Sequence, residues 1–175
     1  MEITIRVAVM DDVSALQQLI LHAARELNKG YCTPQQIESA ITYIFGVDTQ
    51  LISDRTYYVA EAAGQMVGCG GWSKRKKMFG GDQMKVEQEL MLDPTVDAGR
   101  IRTFFTHPAW ARQGIGRRIM QACEEAAKAE RFTRLALVAT LPGELLYAAM
   151  GYAVTEGMEI PMSDGITLPA AHMKK

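Results

Sequence analysis

The chain has 175 residues, which is the usual length of one compact α/β domain and too short for two comfortable ones. Hydrophobic residues make up 48% and charged residues 22%, which is ordinary for a globular protein and excludes a disordered or fibrous one. The formal net charge of −1 gives no electrostatic reason to expect a nucleic acid or an anionic membrane as partner.

The N-terminal part of the sequence predicts a strand followed by a helix. Residues 3–9 alternate in apolar character and are rich in β-branched side chains, which is typical of a strand. Asp11 and Asp12 offer an N-cap, and apolar residues then recur at helical spacing over 13–27. Gly30 is placed to end this helix.

The next part predicts a short helix and a hairpin. Thr-Pro at 33–34 is typical of a capped helix start. Residues 56–62 and 65–73 read as two strands joined by Ala-Gly at 63–64. Residues 74–98 follow no regular pattern and predict a long excursion between strands, a kind of segment that often carries function.

The C-terminal half alternates strands and helices. We expect a strand over 100–107, a helix over about 115–130 and a largely apolar central strand over 134–139. A short helix over about 143–150 and a closing hairpin over 152–174 complete the chain. This order predicts a mixed α/β fold.

The glycine loop before the third predicted helix carries the strongest chemical signal. A strand ends at Pro108, and Gly114 and Gly116 then open a helix. A helix N-terminus presents unpaired backbone N–H groups and attracts phosphate, and glycines let an anion come close to the backbone. Arg112 and Arg117, with Arg118 beside them, add positive charge, so the loop suits a pyrophosphate.

The glycines also allow other interpretations. A tight turn between strand and helix explains Gly114 and Gly116 about equally well when these residues are taken alone. Ile119 stands where a dinucleotide-binding fingerprint needs a third glycine, and no phosphate-binding GK[ST] sequence follows. The glycines within 68–71 lie inside a predicted strand, which is typical of a bulge or a close backbone contact.

Two motifs in this order resemble the GNAT superfamily of N-acetyltransferases. The first is the strand, glycine loop and helix, and the second is the segment 146–152, LYAAMGY, which is similar to the family's F-Y-x-x-x-G-[FY] pattern. The resemblance covers the chain and implies one acetyltransferase domain over 1–175. It implies an α/β (mixed α+β) fold with a mostly antiparallel sheet of about seven strands, splayed in the middle and flanked by about four helices.

The resemblance also implies acetyl-CoA as the acyl donor, bound along the splayed strand and the glycine loop. Ala111 departs from the family pattern, which places Gln or Arg there, while Arg112 follows one step later. Thr140 stands where the family often has an asparagine. The positions that the resemblance assigns to cofactor binding are Phe104, Phe105, Thr106, Arg112, Gln113, Gly114, Ile115, Gly116, Arg117 and Thr140.

Acetyl transfer to an amine needs a neutral amine, a stabilised oxyanion in the tetrahedral intermediate and a proton for the departing thiolate. The resemblance assigns the last role to Tyr147, as the catalytic acid. A phenol with an ordinary pKa near 10 can donate to a thiolate at neutral pH. The general base stays open, with His107, Glu89, Asp93, Asp97 and ordered water as candidates.

The acceptor is predicted to be a primary amine of a small molecule or a protein. The first two helices and the excursion are the parts expected to recognise it, with Tyr31, Tyr43, Trp72 and Phe79 as candidate lining residues. The basic run Lys74–Lys77 is a solvated surface or a steering element for an anion.

The remaining features narrow the class of protein. Cys32, Cys69 and Cys123 predict reduced thiols, and a start without a signal peptide predicts a cytoplasmic enzyme. Scattered histidines predict that no metal is bound. A homodimer is compatible with the apolar content. The alternative function is a non-catalytic acyl-CoA-binding regulatory module, because a fold does not determine a function.

Overall fold

The computed structural model describes residues 1–84 and 89–175, whose core is a seven-stranded sheet in the order β1-β2-β3-β4-β5-β7-β6. All neighbours in the sheet are antiparallel except β4 and β5. The strands are β1 (Thr4–Val7), β2 (Tyr57–Ala62), β3 (Gln65–Ser73), β4 (Gly99–Thr106), β5 (Leu135–Thr140), β6 (Ala153–Pro161) and β7 (Thr167–Lys174). The helices are α1 (Val13–Leu27), α2 (Pro34–Tyr43), α3 (Thr49–Ser53), α4 (Ile115–Ala129) and α5 (Glu144–Ala149).

The predicted mixed fold with a splayed, mostly antiparallel sheet is confirmed. The first strand is shorter than expected, because the chain turns after Val7 into a short 3-10 turn. Asp12 does not cap α1 with its side chain. Its carboxylate accepts hydrogen bonds from the backbone N–H of Val9 at 2.8 Å and from the Arg6 guanidinium at 2.8 and 2.9 Å, so it holds the turn that precedes the helix.

The start of α2 matches the prediction made from Thr33 and Pro34. The Thr33 hydroxyl accepts from the backbone N–H of Gln36 at 3.1 Å, and the Gln36 side chain accepts from the N–H of Thr33 at 2.9 Å. One helix, α3, was not predicted. It has five residues, too few for the sequence to show helical periodicity, and it begins at an Asp48 side chain that accepts from Gln50 N–H.

Each face of the sheet buries its own hydrophobic core. Tyr57 and Val59 of β2 pack with α1 and α3, while Ala60 and Ala62 face the core that contains α4. This alternation follows from the two-residue repeat of a strand. Gly68 of β3 lets α4 come close, because a Cβ there would lie 2.5 Å from Cγ2 of Ile115.

The sheet opens between its two parallel strands. β4 and β5 pair only through Gly99 with Leu135 and Arg100 with Ala136. Beyond Arg100 the two strands diverge, and residues of both line a single cavity. This opening positions the candidate functional site.

Candidate active site

A cavity of about 940 Å³ fills the opening between β4 and β5. One end lies at the glycine loop before α4, and the other reaches the end of α1 and the residues around Phe79. The charged residues that line it within 1–84 and 89–175 are all arginines: Arg102, Arg112 and Arg117. The described lining therefore has positive formal charge and favours an anionic ligand.

The glycine loop presents a row of backbone donors. The first intrahelical bond of α4 runs from Arg118 N–H to Gly114 C=O at 3.1 Å. The N–H groups of residues 112–117 have no hydrogen-bond acceptor in the part of the chain that the structure describes. Arg112 and Gly114 have φ angles of 63° and 81°, which turn the loop, and a Cβ at Gly114 would meet nothing within 4 Å. Such a row is a ready anion site.

Most of the cofactor positions implied by the resemblance come together in this cavity. The lining includes Phe104, Phe105, Thr106, Arg112, Gly114, Ile115, Gly116, Arg117 and Thr140. Gln113 is exposed and outside the lining, although its N–H belongs to the donor row. Arg118 is also directed elsewhere, since its guanidinium donates to the Ile3 carbonyl at 2.9 Å.

Gly116 also has a packing role. A Cβ at this position would lie 2.8 Å from Cδ2 of Leu146, so its absence lets α5 approach α4. The packing interpretation of this glycine is therefore confirmed, and anion binding at the loop stays a prediction.

Tyr147 lines the same cavity from α5. Its side chain packs edge-to-face against Phe104 and Tyr152, with ring centroids 6.2 and 6.3 Å apart. Only 8% of the residue is exposed, and its hydroxyl makes no hydrogen bond within the described residues. Burial raises the pKa of Tyr147 well above its ordinary value, so the phenol is protonated at neutral pH.

The four side chains considered as general base lie outside the cavity lining. His107 Nδ1 accepts from Ala109 N–H at 3.1 Å. Asp93 accepts from Thr95, and Asp97 accepts from Asp93 N–H. The remaining candidate, Glu89, lies 4.0 Å from Arg75 Nε. In the described lining neither a carboxylate nor a histidine is present, which leaves water from the earlier alternatives.

The far end of the cavity combines apolar and polar residues. Tyr31 and Phe79 lie there as predicted, whereas Tyr43 does not line the cavity and Trp72 belongs to the core of the opposite face. Sequence reasoning missed Asn28 and Arg102. For Arg102 the sequence shows only a charged residue after Ile101 in a strand that is otherwise buried at that point. This pattern does not tell whether the arginine is buried or on the surface.

β4 carries a bulge at the edge of the cavity. Arg102 pairs with Gly71 and Phe105 pairs with Cys69, so Thr103 and Phe104 oppose Gly70 alone. Thr103 has a φ of 52°, and a Cβ at Gly70 would lie 2.7 Å from the Phe104 ring. For the glycines at 68–71 the sequence left a bulge and a close backbone contact open. The register irregularity does fall opposite this segment, with the extra residue on β4, and a Cβ at Gly71 would lie 2.6 Å from the Thr56 carbonyl oxygen.

The basic run Lys74–Lys77 is largely ion-paired. Lys74 contacts Glu130 at 3.2 Å, Arg75 contacts Asp54 at 2.7 Å and Lys77 contacts Asp48 at 3.2 Å. These contacts tie the excursion to α3 and α4, so most of the run is not a solvated surface.

Comparison with known families gives a match over residues 53–154, to the acetyltransferase (GNAT) domain. This range includes β4, the glycine loop, α4 and Tyr147 and covers more than half of the chain. The chain belongs to the GNAT acetyltransferase family. None of the curated protein sequences matches it.

Solved structures share the fold of this GNAT domain. A GCN5-related N-acetyltransferase from Rhodopseudomonas palustris has a TM-score of 0.72 and 17% identity, covering 98% of this chain and 94% of the other. PaiA N-acetyltransferase from Thermoplasma acidophilum, in complex with coenzyme A, has a TM-score of 0.66 and 15% identity, covering 100% and 99%. A ribosomal-protein-alanine N-acetyltransferase from Brucella melitensis has a TM-score of 0.64 and 16% identity, covering 98% of both chains.

Metal sites and membrane-spanning helices are two further features on which the described residues bear. Within residues 1–84 and 89–175, no group of three or more His, Cys, Asp or Glu side chains is placed to hold a metal ion. None of the helices in those same ranges combines the length and the hydropathy needed to cross a membrane.

Proposed function

We propose that this GNAT domain transfers an acetyl group from acetyl-CoA to a primary amine. The observation that carries the proposal is the row of N–H groups at 112–117, unpaired within the described residues, at the cavity that the Tyr147 side chain also lines. An anion site and a proton donor on one cavity match the two polar parts of acetyl-CoA, which are its pyrophosphate and its thioester.

The residues present fit coenzyme A. The N–H groups of 112–117, together with Arg112 and Arg117, would hold its pyrophosphate, and Gly114 leaves space for the approach of an anion. Beyond Arg100, β4 has no ladder partner on its β5 side, so the edge at 104–106 is open to polar groups of the pantetheine arm. Thr140, on β5, lies at the opposite wall.

The bound donor supplies a thioester carbonyl that an amine can attack. In the overall transfer the amine nitrogen forms a bond to the acetyl carbon, the carbon–sulfur bond breaks, and the sulfur leaves with its electron pair. Tyr147 gives a proton to that sulfur as the carbon–sulfur bond breaks, and the resulting phenolate takes a proton back from water. The proton lost by the amine passes to water, since the described lining offers neither a carboxylate nor a histidine.

Isothermal titration with acetyl-CoA, CoA and NAD tests the binding step. We expect selective micromolar binding of the two CoA species. If a folded sample binds neither of them, the glycine loop is only a turn, and the proposed function is wrong.

Tyr147→Phe tests the chemical step, with Tyr152→Phe as its matched control. Tyr152 belongs to the same motif, but its hydroxyl donates to Glu124 at 3.0 Å, and the residue does not line the cavity. We expect Tyr147→Phe to lower kcat by about 100-fold or more, as for loss of a general acid, with acetyl-CoA affinity unchanged. Tyr152→Phe should leave kcat within about twofold. Equal kcat values for the two variants would remove Tyr147 from the mechanism.

The second candidate function is a non-catalytic acyl-CoA-binding module. The observation that favours it is the lack of a carboxylate or histidine in the described lining. Tight binding of acetyl-CoA, without release of thiol in the presence of any amine offered, would support this candidate over the transferase. The acceptor identity, the cytoplasmic location, the homodimer and the single domain over 1–175 stay predictions.

A further inference from the structure

Arg102 is a buried cation at the far end of the cavity with one nitrogen unused. The residue is 2% exposed, and its Nε has no hydrogen-bond acceptor within the described residues. Its Nη2 donates to Asp48 Oδ2 at 2.8 Å and to the Gly80 carbonyl. A buried N–H without an acceptor is rare and costly, so such a group calls for an explanation.

The carboxylate that pairs with Arg102 is shared with a second cation. Asp48 Oδ2 lies 2.8 Å from Arg102 Nη2 and 3.2 Å from Lys77 Nζ, so one buried carboxylate serves both. Asp48 and Lys77 do not line the cavity, whereas Arg102 does. Arg102 is therefore the member of this group that borders the cavity.

Two further unsatisfied polar atoms belong to residues that line the same cavity. Asn28 is 4% exposed; its Nδ2 donates to the Ala24 carbonyl at 2.8 Å, and its Oδ1 has no donor within the described residues. Thr103 Oγ1 is also buried without a partner there. Around these atoms the lining is apolar, with Leu27, Phe45, Met78, Phe79, Ile160 and Leu168.

We infer that the acceptor is an amino acid, meaning a small molecule that carries a carboxylate as well as its amine, and that Arg102 Nε donates to this carboxylate. The inference rests on the proposed function. Arg112 and Arg117 lie at the glycine loop and serve the donor, so Arg102 is the lining cation left for the acceptor. Asn28 Oδ1 accepts from a polar hydrogen of the acceptor, and the apolar residues contact its carbon chain.

The same arrangement disfavours polyamines and other polycationic amines. A second ammonium group would enter a cavity whose described charges are all positive, and the lining residues within 1–84 and 89–175 include no carboxylate to pair with it. Like charges at close range in a partly desolvated site are strongly repulsive.

Matched pairs of amines test the inference on the wild-type protein. The acids are L-phenylalanine, L-methionine, γ-aminobutyrate and 5-aminovalerate, and their partners without the carboxylate are phenethylamine, 3-(methylthio)propylamine, propylamine and butylamine. Putrescine represents the polyamines. With acetyl-CoA saturating, we expect thiol release with kcat/KM at least tenfold higher for one or more acids than for the matched amine. If kcat/KM is the same for the acid and the amine in every pair, or if none of the compounds causes thiol release, the inference is wrong.

Variants then assign the preference to Arg102. Arg102→Gln should lower the ratio of kcat/KM for the preferred acid to that for its matched amine at least tenfold. Arg100→Gln is the control, because Arg100 lies two residues away on β4 but does not line the cavity. A preference that survives in folded Arg102→Gln would refute the role of Arg102. If Arg102→Gln does not fold, Arg102→Lys is tested in its place, because it keeps a cation beside Asp48. Titration with acetyl-CoA tests the binding step of the proposed function independently of the acceptor.

Discussion

Replacing Gly114 with alanine separates anion binding from turn formation in the glycine loop. Gly114 has a φ of +81°, and an added Cβ would meet nothing within 4 Å. Gly165, in the β6–β7 hairpin, is a closely matched control, with a φ of +84° and nothing within 4 Å of its Cβ position. The two substitutions therefore impose the same backbone strain and no steric clash with the protein.

The stability change should be the same in both variants. A left-handed conformation costs an alanine about 1–2 kcal/mol, and the loss of unfolded-state entropy offsets up to about 1 kcal/mol of this. For a chain of this length, each kcal/mol lowers Tm by about 2–4 °C. We expect both proteins to fold and to melt a few degrees below the wild type, as measured by calorimetry.

The acetyl-CoA affinity should differ between them. The Cβ of Gly114→Ala would occupy the space beside the donor row at 112–117, whereas that of Gly165→Ala lies far along the chain in a hairpin. Loss of one hydrogen bond to a charged group costs about 1.5–3 kcal/mol, which corresponds to a Kd about 10- to 100-fold higher. Isothermal titration would measure it. Equal affinities in the two variants would refute the assignment of a pyrophosphate to this loop.

Two further predictions concern stability. Gly68→Ala should lower the free energy of unfolding by about 1–3 kcal/mol, because its Cβ would lie 2.5 Å from Cγ2 of Ile115. A double-mutant cycle with Ile115→Ala should show a favourable coupling between the two substitutions. Additive effects of the two substitutions would contradict the contact. The Arg6 guanidinium lowers the pKa of Asp12, so this carboxylate stabilises the fold above its unfolded pKa of about 3.9 and loses that contribution as pH falls through its folded pKa. Asp12→Asn should flatten the loss of stability below about pH 4 in acid denaturation, while Asp11→Asn, at an exposed carboxylate, should not.

Local sequence patterns determined most of the elements. The capped start at Thr33, the hairpin turn at 63–64 and the helix that begins at Ile115 each depend on residues close together in the chain, and each is found as predicted. α3 was missed because five residues show no periodicity. Asp12 was misassigned because the Arg6 guanidinium and the Val9 N–H bind its carboxylate.

The glycine loop and Tyr147 could also be found in the sequence, because the family resemblance supplies their spacing. The cavity that joins them could not. It exists because β4 and β5 pair over two residues and then diverge, and pairing between distant segments leaves no local pattern. The unpaired Nε of Arg102 and Oδ1 of Asn28 could not be found in the sequence either. Whether a polar atom has a hydrogen-bond partner depends on every neighbour that packs around it.

The sequence by itself therefore determined most of the order of strands and helices, the family resemblance and the position of the glycine loop. The tertiary structure alone decided which side chains line the cavity, and it placed four candidate bases outside that lining. The physical reason is that local patterns govern hydrogen bonding and turns within each segment. Burial, charge balance and the shape of a cavity arise only when remote segments pack together.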